Sequence, residues 1–312
     1  MGSRNSMLGS KIRRALYGAF MLQKWTIGLS APPIHVDSSW FAKGRILRPL
    51  PGADFLADPF LVPGTFGRSV LCEWMKSDLG RGVIAKVDID DGDEIVDIKV
   101  VIDRAPYHLS YPYLVQHEGQ LYCCPESCHS RSVRLYRLTP RADRVEEERE
   151  VISDFAAVDP TLFMHDGRWW LLCTNARDGR SNSDLYAFHS AGLFGPWIQH
   201  DANPIVKDLG TARPAGGVFT VDGVLYRPSQ DCSVRYGGGL NLSRIEVLTP
   251  SDYRETRVWT LHAPQGFRAR HGIHTVNAVD DAVVFDAYSE QFNPIAWWYR
   301  WREIRQQRQS KG

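Results

Sequence analysis

Residues 158–175 read VDPTLFMHDGRWWLLCTN: an Asp-Pro pair, an apolar run, the dipeptide Asp166-Gly167 and a second apolar run. An Asp-Gly pair between two runs rich in aromatic and aliphatic residues is a strong hairpin signal, because a two-residue turn needs positive φ at both positions. The same grammar recurs at 57–74 (ADPFLVPGTFGRSVLCEW), 110–127 (SYPYLVQHEGQLYCCPES) and 212–231 (ARPAGGVFTVDGVLYRPSQD), with a weaker fifth copy at 274–289 (HTVNAVDDAVVFDAYS). Pro59, Pro112, Pro160 and Pro214 stand 53, 48 and 54 residues apart, the period of a propeller blade and not of a helical repeat.

Each copy continues into two further strand-like runs. Residues 183–190 and 195–206 follow the third copy, VRLYRL and EEEREVI the second, GGLNLSRIEVL and YRETRVWTL the fourth, and GVIAKVDI and EIVDIKVVI the first. The fifth copy has VVFDAYS and IAWWYRW but no fourth run, while QKWTIGL (23–29) is strand-like and unpaired. The expected fold is therefore all-β: a five-bladed β-propeller of four-stranded blades, closed by the N-terminal strand at about 23–29 in the last blade, which protects the ring's edges. A β-sandwich is the competing architecture, but its strands would not recur in groups of four. The expected boundaries are a basic segment over 1–22 that could form a short amphipathic helix, one propeller domain over 23–303, and a charged tail over 304–312.

Composition narrows the class. The 312 residues carry a net charge of +1, which argues against a broad nucleic-acid surface. No apolar run reaches the ~18 residues of a membrane span, so no stable membrane insertion is expected. Cys72, Cys123, Cys124 and Cys173 lie inside apolar runs, where cysteine behaves as a small buried hydrophobe, and this favours a reducing, cytoplasmic location. Cys124 and Cys128 lack a second Cys/His pair at finger spacing, so no metal is expected, and no cofactor.

In a propeller the first residues of each innermost strand converge on one mouth of the channel. That brings together Asp58, Ser110, Asp159, Arg213 and His271 or His274, with Glu73, Glu126, Asn175, Gln230, Asp231 and Asp286 at the ends of the second strands. Carboxylates, an Arg, a His and amides in one ring suit a polyhydroxylated or anionic ligand. Trp40, Trp74, Tyr111, Trp169 and Tyr236 are candidates for stacking on sugar faces, with at least one of Trp169 and Trp170 assigned to the core. Arg268 and Arg270 extend His271 and His274 into a basic segment.

FLADPFL, VDPTLF and GPWIQHDANPI resemble the five-bladed propeller enzymes of glycoside hydrolase family 43. HLSYPYL, CCPES, GRWWLL, ARPAG and the RPSQD–YGGGL stretch are more similar still to another propeller, across roughly 24–300. It is the domain at the N-terminus of plant glucosamine inositolphosphorylceramide transferases and in bacterial stand-alone relatives. The family 43 resemblance implies inverting hydrolysis, with a first-blade Asp activating water, a third-blade Asp tuning and orienting, and a fourth-blade Glu protonating the leaving oxygen. Asp58 and Asp159 match the first two positions. Blade four departs from the pattern, offering Arg213 and Asp231, and the best Glu, Glu126, lies in blade two; either Glu126 or Asp231 could serve as acid. An inverting pair stands ~6.5–9.5 Å apart, with the acid's pKa raised.

Two expectations follow. The first is a glycan-active enzyme, an inverting glycoside hydrolase with Asp58 as base, Glu126 as acid and Asp159 as orienting carboxylate. The alternative is a non-catalytic carbohydrate-binding propeller that works with a glycosyltransferase partner in making a cell-surface glycan or glycolipid.

Overall fold

Three of the predicted turns form as two-residue hairpins with positive φ at both positions: Glu118-Gly119 (49° and 73°), Asp166-Gly167 (49° and 69°) and Asp222-Gly223 (49° and 76°). They belong to a computed structural model that describes residues 21–292, except 54, 66–67, 77–78, 263–270 and 280–281. Most of the basic segment, the run IAWWYRW, the charged tail, Arg268 and Arg270 lie outside the described residues.

The chain opens with β1 (Met21–Ser30), the short helix α1 (Ser39–Lys43) and β2 (Arg45–Ile46). Blade one follows as β3 (Leu56–Leu61), β4 (Ser69–Lys76), β5 (Arg81–Ile89) and β6 (Ile95–Ile102). Blade two is β7 (Ser110–His117), β8 (Gln120–Glu126), β9 (Ser132–Leu138) and β10 (Val145–Ser153). Blade three is β11 (Ala157–His165), β12 (Arg168–Asn175) and β13 (Asp184–Ser190), with its outer strand broken into β14 (Ile198–Gln199) and β15 (Val206–Lys207), both paired with β13. Blade four is β16 (Phe219–Val221), β17 (Val224–Gln230), β18 (Gly239–Leu248) and β19 (Tyr253–His262). Blade five combines β20 (Val276–Val279) and β21 (Ala282–Phe292) with β1 and β2, in the order β2-β1-β21-β20.

The five-bladed propeller is thus present, and the N-terminal strand closes its last blade. It does so as the third strand, pairing with β21 from Met21↔Phe292 to Ser30↔Val283, and the two-residue β2 supplies the edge. Gly28 lies across from Phe285, and a Cβ there would stand 2.3 Å from the Phe285 ring, so a larger residue would push the closing strand off its partner.

Apolar residues fill the seams between blades. Tyr111, Leu135, Leu162, Leu171 and Phe188 join blades two and three, while Ile27, Leu56, Val70, Val87 and Val284 join blades five and one. At ~25 cal/mol per Å² of apolar surface, this burial is the main force holding the ring shut.

Candidate functional site

The x-Pro pair at the head of the repeat makes a β-bulge in three blades. Register shifts fall between Ala57 and Phe60, Ser110 and Tyr113, and Val158 and Thr161. The residue before each proline is left-handed: Asp58 at φ 50°, Tyr111 at 44° and Asp159 at 51°. Proline has no N–H for the ladder, so the pair leaves the sheet there, and the bulge re-aims the preceding side chain. Asp tolerates this conformation better than most residues.

The equivalent slot in blade two is therefore Tyr111, not Ser110, which pairs with Glu126 in the strand register. The Tyr111 ring is fully buried against Phe60 and Tyr113, and its hydroxyl lies 2.9 Å from Thr161 Oγ1 and accepts from Gly216 N–H at 2.8 Å. It has no face left for a sugar. Trp40 and Trp169 are buried in the same way.

Two clusters meet at the axis. In the first, Asp286 Oδ2 accepts from Asp58 N–H at 3.0 Å, while its Oδ1 accepts from the N–H groups of His274 and Thr275 at 2.9 and 3.0 Å. Asp58 Oδ1 accepts from Thr275 Oγ1 at 2.5 Å, and its Oδ2 from Tyr111 N–H at 3.3 Å. His274 Nδ1 stands 2.5 Å from Asp286 Oδ2 and 3.6 Å from Asp58 Oδ1, and its ring stacks on Trp25 at 3.9 Å.

In the second cluster, Glu126 Oε2 accepts from Asp159 N–H at 3.2 Å. Asp159 Oδ2 accepts from Arg213 Nε at 2.7 Å and from Gln230 Nε2 at 3.0 Å. Arg213 also reaches Asn182 Oδ1 at 2.9 Å and lies under the Tyr236 ring at 5.0 Å. Tyr236 presents its edge to His274 at 5.3 Å and is 42% exposed, so it roofs both clusters from the solvent side. Beside them, His108 Nδ1 accepts from Gly82 N–H, which turns Nε2 toward Glu73 Oε1 at 3.2 Å.

Burial dominates the electrostatics. It pushes Asp58 up to about 6, with the His274 charge opposing and the Asp286 and Glu73 charges adding. It pushes Glu126 up to about 7, reinforced by the Asp159 carboxylate. Asp159 is also raised by burial, against the pull of Arg213. Burial alone would lower His274, but Asp286 and Asp58 outweigh it and hold the imidazole at about 9. At neutral pH the first cluster sets the His274 imidazolium against the Asp58 carboxylate, and the second is an Arg–carboxylate pair with a poised proton on Glu126.

Asp58, His274 and Asp286 place ligand atoms within 4.8 Å of one another, all buried. His274 Nδ1 lies within ion-pair distance of both carboxylates, so a cation there would compete with the imidazolium for them.

Several candidates lie away from this centre. Asp231 is turned aside to Ser233, with Oδ1 accepting from its N–H at 3.0 Å and its hydroxyl at 2.5 Å. Asn175 Oδ1 accepts from Arg177 N–H within its own turn. His271 lies 3.6 Å from Glu290, and Trp74 packs beside the blade-one core with Lys76 over its ring at 5.1 Å. Sequence reasoning missed Trp25, Thr275 and His108. Thr275 could have been found as the neighbour of His274 at the head of the fifth copy; Trp25 carried no signal, since only ring closure brings it there.

A family described as glucosamine inositolphosphorylceramide transferase 1, N-terminal, matches residues 48–278. The chain belongs to that family. It is 34% identical over 258 residues to the protein named glucosamine inositolphosphorylceramide transferase 1 of Oryza sativa subsp. japonica, covering 78% of this chain and 34% of that protein. The Arabidopsis thaliana protein of the same name is 34% identical over 218 residues, covering 66% of this chain and 27% of its own length. The chain thus spans about a third of the length of these relatives. An exo-β-1,3-galactanase from Clostridium thermocellum shares the fold at a TM-score of 0.52 and 12% identity, covering 75% of this chain and 60% of that one.

Proposed function

We propose that this member of the family is a glycan-recognition propeller whose axial mouth binds a carbohydrate in support of glycosyl transfer by a separate catalytic unit. The observation that carries the reading is Arg213. It stands at the blade-four position where a family 43 hydrolase would carry its acid, and its guanidinium is spent on Asp159 at 2.7 Å. Asp159 is also held by Gln230, and Asp58 by Thr275 and Tyr111 N–H, so both carboxylates are committed to the scaffold. The plant relatives are named transferases, and two thirds of the rice protein lie outside the matched region, which leaves room for a catalytic unit there. The reading includes a cytoplasmic location, in keeping with six free cysteines.

A second reading, the inverting hydrolase, is favoured by one observation. Glu126 at about 7 and Asp58 at about 6 titrate where a general acid and base would be useful. A screen of aryl furanosides and pyranosides, run with saturation-transfer NMR on the matching methyl glycosides, separates the two. Recognition alone gives saturable binding, weakened by Glu126→Gln, with no aryl release above background. Turnover that follows a bell-shaped pH profile and disappears in Asp58→Asn would establish the hydrolase and sink the first reading.

A further inference from the structure

The face of the propeller that carries the axial mouth also holds a cavity of about 580 Å³ between blades three and four. The start of β11, where Asp159 stands, pairs with the end of β12, so β12 and β17 end on that face and β13 and β18 begin there. Lys207 pairs with Asp184 and brings Asp208 to the same level. Two chain segments serve both sites. Asn182 and Gln230 turn to the axial clusters, meeting Arg213 at 2.9 Å and Asp159 at 3.0 Å. The next residue of each segment, Ser183 and Asp231, lines the cavity, so the cavity and the mouth share a wall.

The charges of this cavity are mixed and only partly spent. Asp184 is occupied, with Ser183 and Arg180 donating to it at 2.9 and 3.4 Å. Asp208 Oδ1 accepts from Gly210 N–H and the Thr211 hydroxyl, but its Oδ2 has no hydrogen bond among the described residues. Asp231 is buried; Ser233 takes its Oδ1, while its Oδ2 has only the His262 ring, 3.9 Å away. A Cβ on Gly210 would stand 3.1 Å from Asp208 Oδ1 and 3.6 Å from Asp231 Oδ1, so the two carboxylates flank one bare stretch of backbone. Lys207 and Arg257 line the same cavity as exposed side chains with no hydrogen bond or ion pair among the described residues.

Open carboxylate oxygens beside open cations match neither a fixed anion nor a fixed cation. Neighbouring hydroxyl groups suit both, since each can donate to a carboxylate and accept from an ammonium or guanidinium. Leu209, 47% exposed in the same wall, adds an apolar edge for the C–H groups of a sugar ring.

We propose that the mouth and this cavity are consecutive subsites for one neutral oligosaccharide, in which Asp208, Asp231, Lys207 and Arg257 hold the sugar unit that follows the axial one. Given that the mouth binds glycan, as proposed above, the ligand is at least two sugar units long. It runs outward across Ser183 and Asp231, between blades three and four.

A printed array of neutral glycans, with each linkage carried from the mono- to the hexasaccharide, tests it, followed by titration calorimetry of the best ligand and its shorter homologues. Affinity should rise at least about tenfold from one sugar unit to two or three and then level off, since one hydrogen bond to a charged group is worth about that much. Asp208→Asn keeps the acceptor for Gly210 N–H and turns the open oxygen into a donor. It should cut the ratio of tri- to monosaccharide affinity about tenfold, and Arg257→Ala should cut it several-fold. Glu126→Gln, at the axis, should instead weaken every length alike and leave that ratio intact. Equal binding of one unit and of six overturns the cavity's role and leaves the glycan reading of the mouth standing. Length-dependent binding that ignores both cavity variants also overturns it, because the further units then lie elsewhere on the face. Binding of no glycan at all sinks the reading of the mouth and the subsite with it.

Discussion

Asp159 is 2% exposed, and the two donors on its Oδ2 come from blade four, whereas its own N–H is taken by Glu126 of blade two. One residue thus ties three blades, and its charge is tolerable only because Arg213 is there. Removing Arg213 strands a buried carboxylate, which typically costs about 3–5 kcal/mol, whereas removing both partners of such a pair is often near neutral. Arg213→Met should therefore lower stability by about 3 kcal/mol at pH 8 in urea unfolding. The double variant Arg213→Met/Asp159→Asn should recover more than half of that loss. If the double variant is as unstable as the sum of the singles, the pair is not what holds blade four against blade three.

At the scale of the element, the inner strands share a sequence pattern but not a length. β7 and β11 run from the bulge to the hairpin, while in blade four Pro214 makes an isolated bridge to Ser229 and regular pairing begins only at Phe219. Gly216 sits in that gap at φ 141°, and a Cβ there would stand 1.9 Å from the backbone oxygen of Val276 in blade five. At Gly223, φ is 76° but a Cβ would meet nothing within 4 Å. Gly223→Ala should then cost about 1 kcal/mol, from the backbone alone. Gly216→Ala should cost several times more, because backbone must move, and chemical denaturation of the two variants side by side checks the ratio. The hairpins are readable because Asp-Gly and Glu-Gly encode positive φ locally. The bulges are not: nothing in SYP says that the strand slips by one residue, so the pattern alone puts Ser110 where Tyr111 stands.

For the whole molecule, what was legible followed the same division. The fifty-residue period specified the ring and put Asp58, Asp159, Arg213 and His274 at its axis, because any residue at the head of an inner strand must go there. Trp25 and His108 reach the axis through ring closure and a loop, which no periodicity records. The assembled ring makes a prediction about pH that no single blade would. Asp58 rises from an ordinary 3.8 to about 6, Glu126 from 4.5 to about 7, and His274 from 6.5 to about 9. All three have higher pKa values folded than unfolded, so the folded state holds more protons, and stability falls as pH rises through each window. The contributions are present in full below the unfolded values and are lost by about 6, 7 and 9 in turn. Surface carboxylates with lowered pKa values, Asp143 and Glu246 among them, act oppositely, but only in more acid solution. A tenfold difference in proton affinity between the folded and unfolded chain is worth about 1.4 kcal/mol. The melting temperature should therefore peak near pH 4 and drop by several degrees by pH 9. Calorimetric scans of the wild type and of Glu126→Gln across that range separate the contributions: the variant should show a shallower slope between pH 4.5 and 7, keeping the share that Asp58 supplies up to about 6, and an unchanged slope above pH 7. A melting temperature that is flat or rising from pH 5 to 8 would mean that water reaches the axis and that these groups titrate as they do on a surface.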